Sequence, residues 1–216
     1  MRIGKLAVAA SLAACAVAMA APAQADGNLV FLIDGDTFTN PFLITNNSTA
    51  GETVLSFGFD LFGTGLVFDP DTGGPPGNGS IGTPFTPLGG TDVDTGLVVP
   101  VSVIDGATFF SMNFTNFTVG KSFRWLLDVD PADPMAASPS IFGNNLIGAA
   151  VYVDFSNGLR GTGFLQAVAG NEDASQLVIT TFTNTPTVPE PTTWAMMILG
   201  FGLAGTSLRI RTRVRT

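Results

Sequence analysis

Histidine is absent from the 216 residues, and cysteine and tyrosine occur once each, as Cys15 and Tyr152. Without histidine no Ser-His-Asp or Cys-His arrangement can be built, and zinc loses its usual nitrogen ligand. Basic residues are also scarce: 9 Lys and Arg stand against 17 Asp and Glu. Arg2 and Lys5 lie at the front and four arginines at the end, leaving Lys121, Arg124 and Arg160 to face 16 acids, a balance of −13 over the body. Such a surface disfavours nucleic acid and anionic lipid, both of which reward basic patches. Divalent cations and solvent are its natural counter-charges.

At the front, Arg2 and Lys5 precede an apolar stretch from Leu6 to Ala21, followed by Ala23-Gln24-Ala25. A basic start, an apolar run and a small-x-small site describe a signal peptide over 1–25, read by Sec-type export machinery and cut before Asp26. Leu12-Ala13-Ala14-Cys15 offers a rival, a lipobox in which Cys15 carries an acyl anchor. The apolar run continues past Cys15 to the ordinary site, which favours cleavage there. The exported body then has neither disulfide nor thiol.

The chain closes on VPEPTTWAMMILGFGLAGTSLRIRTRVRT, Val188 to Thr216. Pro189 and Pro191 fix φ on either side of Glu190, keeping the backbone extended and the carboxylate presented. Residues 192–208 carry no charge, near the short limit for a helix crossing a hydrocarbon core. Trp194 falls at the outer interface, and the basic tail 209–216, with Arg209, Arg211, Arg213 and Arg215, holds its end in the cytoplasm. Pro-Glu-Pro, a tryptophan shortly after, an apolar span and an arginine-rich end together resemble the PEP-CTERM sorting signal of Gram-negative bacteria, in its Pro-Glu-Pro-x-x-Trp-Ala variant. The resemblance covers only this tail. It implies that an exosortase, an integral-membrane cysteine transpeptidase, recognises Pro189, Glu190 and Pro191 and cuts the tail away. It also implies transient inner-membrane anchoring, then the cell surface or extracellular space, and association with exopolysaccharide and biofilm.

Between the ends, residues 26–182 read as one all-β domain, with a polar stalk over 183–191. Leu55, Phe57, Phe59 and Leu61 alternate with polar or small residues, and Leu97, Val99, Val101 and Val103 repeat the pattern as an inward face. Further strands are expected at 29–33, 66–69, 108–114, 123–129, 149–155, 161–168 and 176–182. Phe155-Ser156-Asn157-Gly158 has the Asn-Gly of a hairpin turn, and the proline- and glycine-rich 69–90 and proline-rich 130–139 read as irregular. Many short strands between such turns predict an antiparallel β-sandwich of jelly-roll or Greek-key type. The 17 phenylalanines of the body are expected in its core. Trp125 shares a strand face with Phe123, Leu127 and Val129 and belongs there too, opposite Arg124 and Asp128. Tyr152 and Asp154 face outward, as does Asp60.

Paired carboxylates could still cleave glycosides, but Glu52 and Glu172 sit in apparent turns as solvated charges, and no catalytic residue is assigned. Acidic pairs recur as Asp34-Gly-Asp36, Asp69-Pro-Asp71, Asp92-Val-Asp94 and Asp128-Val-Asp130. The calcium candidates are Asp69, Asp71, Asp92 and Asp94, because hard cations want clustered carboxylate and carbonyl oxygens. Neither loop is an EF-hand: counting from Asp69 or Asp92, the twelfth position is Ser80 or Val103, not glutamate. Aspartate also forms turns without metal, so no cofactor is required. The expected function is an exported, non-catalytic surface or matrix protein. The alternative is a carbohydrate-binding or adhesive module, with or without calcium, and behind it a small glycan-active enzyme.

Overall fold

Alternation decides most of the strands. In β1 (Leu29–Asp34), Leu29, Phe31 and Ile33 are buried while Val30 and Leu32 are half-buried. β2 (Phe42–Asn46) repeats the pattern with Phe42, Ile44 and Asn46 inside. A computed structural model describes residues 28–73, 81–133, 135, 140–179, 182–184 and 198. After β2 come β3 (Val54–Asp60), β4 (Leu66–Asp69), β5 (Thr86–Pro87), the one-turn helix α1 (Thr91–Thr95), β6 (Phe109–Phe117), β7 (Ser122–Leu126) and β8 (Asp128–Pro131). A 3₁₀ turn at Gly143–Leu146 leads to β9 (Ala150–Phe155), β10 (Leu159–Phe164), β11 (Gln166–Val168), β12 (Asn171–Ile179) and β13 (Phe182–Asn184).

These strands form three antiparallel sheets: β11-β12-β1-β2-β7-β5, then β13-β10-β9-β3-β6, then the pair β4-β8. The inner faces of the two larger sheets meet in aromatic side chains. Phe31 of β1 stands edge-on to Phe57 and Phe59 of β3, at 5.1 and 5.0 Å between centroids. Phe68 of β4 stands edge-on to Phe110 of β6 at 4.9 Å, tying the small pair into the same core. Each ring so buried contributes about 1.5–3 kcal/mol, and edge-to-face contact roughly 0.5–1.5 kcal/mol more. Trp125 is fully buried among them, as its alternation predicts.

The hairpin at Phe155–Gly158 forms as expected, with Gly158 at φ +80 and Arg160 opposite Asp154. Other expectations need correction. Phe42–Asn46 is a strand that its short run beside Pro41 conceals. Leu97–Val103 is not a strand: Leu97 makes one bridge to Phe114, and Val99 is 70% exposed. Pro100 has no N–H to donate to a ladder there, which prevents the alternating pattern from being used. Nor are all phenylalanines core, since Phe38, Phe62, Phe109 and Phe164 are exposed. Adjacent Phe109 and Phe110 in one strand can only point to opposite faces.

The expected signal peptide over 1–25 with Ala23 and Ala25, the motif residues Pro189, Glu190, Pro191 and Trp194, the tail arginines, and the apolar span apart from Ile198 all lie outside the described residues. Among the described residues, no helix is long and apolar enough to cross a membrane.

Candidate functional site

Two regions of the body gather chemistry. The first is the β4–β8 pair, where the register sets Asp69 opposite Asp128 and Val67 opposite Asp130. Residues two apart on a strand share a face, so Asp128 and Asp130 flank the face that Asp69 occupies. One carboxylate oxygen from each of the three lies within 4.8 Å of the others, and all three residues are buried. Alternation along β7 predicts that Asp128 points to solvent. It does not, because the chain leaves the first sheet at Leu127 and β8 pairs with β4 instead. The Asp128 amide then bonds to the Thr83 carbonyl at 3.0 Å.

Hydrogen bonds hold the carboxylates in place. Asp69 Oδ1 accepts the Asp71 amide at 3.1 Å. Asp128 Oδ1 accepts the Val129 amide at 2.8 Å and the buried Thr37 hydroxyl at 3.2 Å. No donor among the described residues reaches Asp69 Oδ2 or Asp105 Oδ1, although both atoms are buried. Gly82 packs directly against Asp69: a Cβ there would run into the Asp69 carbonyl and carboxyl. Burial pushes the Asp128 carboxyl up to about 7 against the pull of the Val129 amide, and nearby Asp130 pushes the same way. Burial likewise raises Asp69, with Asp105 and Asp130 adding like charge. Asp105 is raised by burial and then by Asp71.

The second region is the outer face of the β10-β9-β3-β6 sheet. A cleft of about 550 Å³ opens there between Phe109 and Tyr152, floored by Gly58. Gly58 stands opposite Tyr152 on one side and Ser111 on the other, and the Phe109 ring leans over its Cα. Phe109 is 49% and Tyr152 36% exposed. Arg160 clamps Asp154 through Nε at 2.6 Å and Nη2 at 2.8 Å, and Ser56 donates to the same carboxylate at 2.6 Å. The guanidinium and the serine hydroxyl hold the Asp154 carboxyl below its usual range despite partial burial. Asp60 lines the same cleft. The result is a polar, part-aromatic trough with an oriented ion pair.

Of the calcium candidates, Asp69 joins the buried cluster, and Asp71 stands exposed at its edge, bonding Asp69 through its amide. Asp92 and Asp94 lie instead on α1, where Asp94 pairs with Lys121 at 3.5 Å. Glu52 is not a solvated charge: it is 4% exposed, and its Oε2 accepts the Ala50 amide of its own loop. Glu172 is exposed on β12. Missed from sequence were Asp128 and Asp130 as partners of Asp69, and Phe109 as an outward ring. The repeated Asp-x-Asp spacing was the available signal for the first, and the Phe-Phe doublet for the second.

Residues 187–213 match the PEP-CTERM protein-sorting motif. No curated protein and no solved structure matched the chain. The motif marks an exported protein, sorted to the cell surface and processed by an exosortase.

Proposed function

We propose that the chain is an exported, non-catalytic surface or extracellular-matrix protein whose body is an antiparallel β-sandwich. A signal peptide over 1–25 starts its export, and a helix over 192–208 anchors it briefly in the inner membrane. Its basic end stays inside until the exosortase cuts. The sorting motif at 187–213 is the observation that carries this reading. The composition supports a non-catalytic body, since no histidine is present and the two glutamates of the body are a loop-bonded Glu52 and an exposed Glu172. Association with exopolysaccharide follows from the kind of protein that bears this signal. Mass spectrometry of the exported protein is the test: a C-terminus upstream of Trp194 is expected, and an intact end at Thr216 would sink the processing step.

A second reading, a carbohydrate-binding module, is favoured by one arrangement. Phe109 and Tyr152 flank Gly58 above a trough lined by Asp60, Ser111, Asn113 and Asp154. Ring faces cover the apolar side of a sugar, and fixed polar groups bond its hydroxyls. The site is then a strand face. A glycan array with the purified protein tests it: binding that disappears in both Phe109→Ala and Tyr152→Ala supports the module, and binding unchanged in both variants, or none at all, removes it.

A further inference from the structure

We propose that Asp69, Asp128 and Asp130 form a calcium site on the β4–β8 pair. The register converges three carboxylates on one face, with ligand oxygens within 4.8 Å of one another. Calcium binds oxygen at about 2.3–2.6 Å, so oxygens across its shell stand up to about 4.6–5.2 Å apart. Magnesium keeps several of its waters and takes one or two carboxylates, whereas calcium accepts about six to eight oxygens in flexible geometry, so three converging protein carboxylates suit the larger ion. The donors are all carboxylate oxygens, and the body has neither histidine nor cysteine, so softer metals lack the ligands they prefer.

A separate observation points to a ligand. Asp69 is 1% exposed, and no donor among the described residues reaches its Oδ2. Burying an ionised oxygen in this way is costly unless a charge or proton meets it. Asp105 Oδ1, from the loop before β6, is buried with the same deficit. The basic side chains among the described residues do not answer it: Lys121 is engaged by Asp94, Arg160 by Asp154, and Arg124 is exposed on β7. Two backbone amides and one hydroxyl orient the cluster. The Asp71 amide fixes Asp69 Oδ1, and Thr37 with the Val129 amide fixes Asp128 Oδ1. At position 82 any side chain would displace the Asp69 carboxyl, and glycine leaves it in place. A cation held here clamps β4 to β8 and, through Phe68, to the core.

The test uses the full chain purified in detergent, stripped with EDTA and dialysed. Calorimetric titration with calcium chloride should show one site per chain, and saturating calcium should raise the thermal midpoint by about 5–10 °C. Magnesium at equal concentration should give less than half that shift. Asp69→Asn and Asp130→Asn should each abolish the calcium shift, while Asp94→Asn, on α1, keeps it. Should the two cluster variants fail to fold, Asp105→Asn is the fallback and should weaken calcium binding at least tenfold. No heat and no shift in the unaltered chain up to 10 mM calcium, at roughly a thousandfold over a 10 µM affinity, would overturn the proposal. So would a shift that survives in both cluster variants, or in Asp105→Asn at unchanged affinity, or one that magnesium matches.

Discussion

The indole of Trp125 lies against the ring of Phe42, 5.3 Å between centroids and 13° between planes, while its own Nε1 is buried without an acceptor among the described residues. Stacking on Phe31 and Phe123 as well, it ties β7 to β1 and β2 on the first sheet's inner face. Trp125→Ala should lower stability by about 3–5 kcal/mol through the cavity it leaves. Trp125→Phe should lose under about 2 kcal/mol, because the substitution also removes an unpaired buried donor. Urea unfolding of the two variants checks the contrast, and equal losses would contradict it.

Gly82 predicts a different kind of loss. Adding a methyl group there drives it into the backbone and carboxyl of Asp69. Gly82→Ala should therefore cost about 1–3 kcal/mol by overpacking. A denaturation midpoint unchanged from the parent chain would show that the loop yields freely.

In the EDTA-treated protein the buried acids set an unusual pH profile. Asp128 titrates at about 7 when folded and near 3.8 when unfolded, so between those values the folded state binds the extra proton. Stability from this group is full below about pH 4 and is lost as pH rises toward 7. Asp69 acts in the same direction, with Asp71, Asp105 and Asp130 as its acidic neighbours. Asp154 opposes them, because its lowered value adds stability above the ordinary carboxylate range that is lost as pH falls through its folded value. Thermal midpoints should thus rise as pH falls from 7 to about 4 and decline below that. A midpoint that rises steadily from pH 4 to 7 would refute the burial of these carboxyls.

Arg160 and Asp154 give the fourth expectation. Their side chains are 47% and 30% exposed, so solvent screens the pair and its net worth is about 1 kcal/mol or less. Arg160→Gln should leave stability nearly unchanged in 0.5 M salt, where the Debye length is only about 4 Å. The same change should move the Asp154 titration upward by NMR, Ser56 alone remaining to hold it down. An unmoved titration would mean that the serine does most of the holding.

Period-two reading found most strand faces where a ladder partner exists, but not Leu55, expected inward with Phe57 and Phe59, which is 43% exposed because the register shifts between Val54 and Ser56. Leu29 to Ile33, Phe57 with Phe59, and Tyr152 with Asp154 all point as their alternation says. It failed where partners are decided elsewhere in the chain. Val99 and Val101 alternate beside a proline, and no neighbouring strand among the described residues takes them up. Asp128 belongs by spacing to the outward face of β7, yet β8 turns away to meet β4, and only that long-range pairing brings it to Asp69. The Asp-x-Asp repeat was visible, but which repeats converge was not. Sorting was legible because its signal is local: a few side chains in fixed order, with no partner needed from the rest of the fold.

The last described strand, β13, lies at one edge of its sheet, held to β10 by three paired residues ending at Leu159 and Asn184. Pro189 comes five positions after Asn184. At about 3.3–3.6 Å per residue the motif can stand no more than about 18 Å from that edge. The tether is therefore short. An enzyme that grips Pro189 to Pro191 works within about 18 Å of Asn184 and of the Leu159 end of β10, beside the β9–β10 turn.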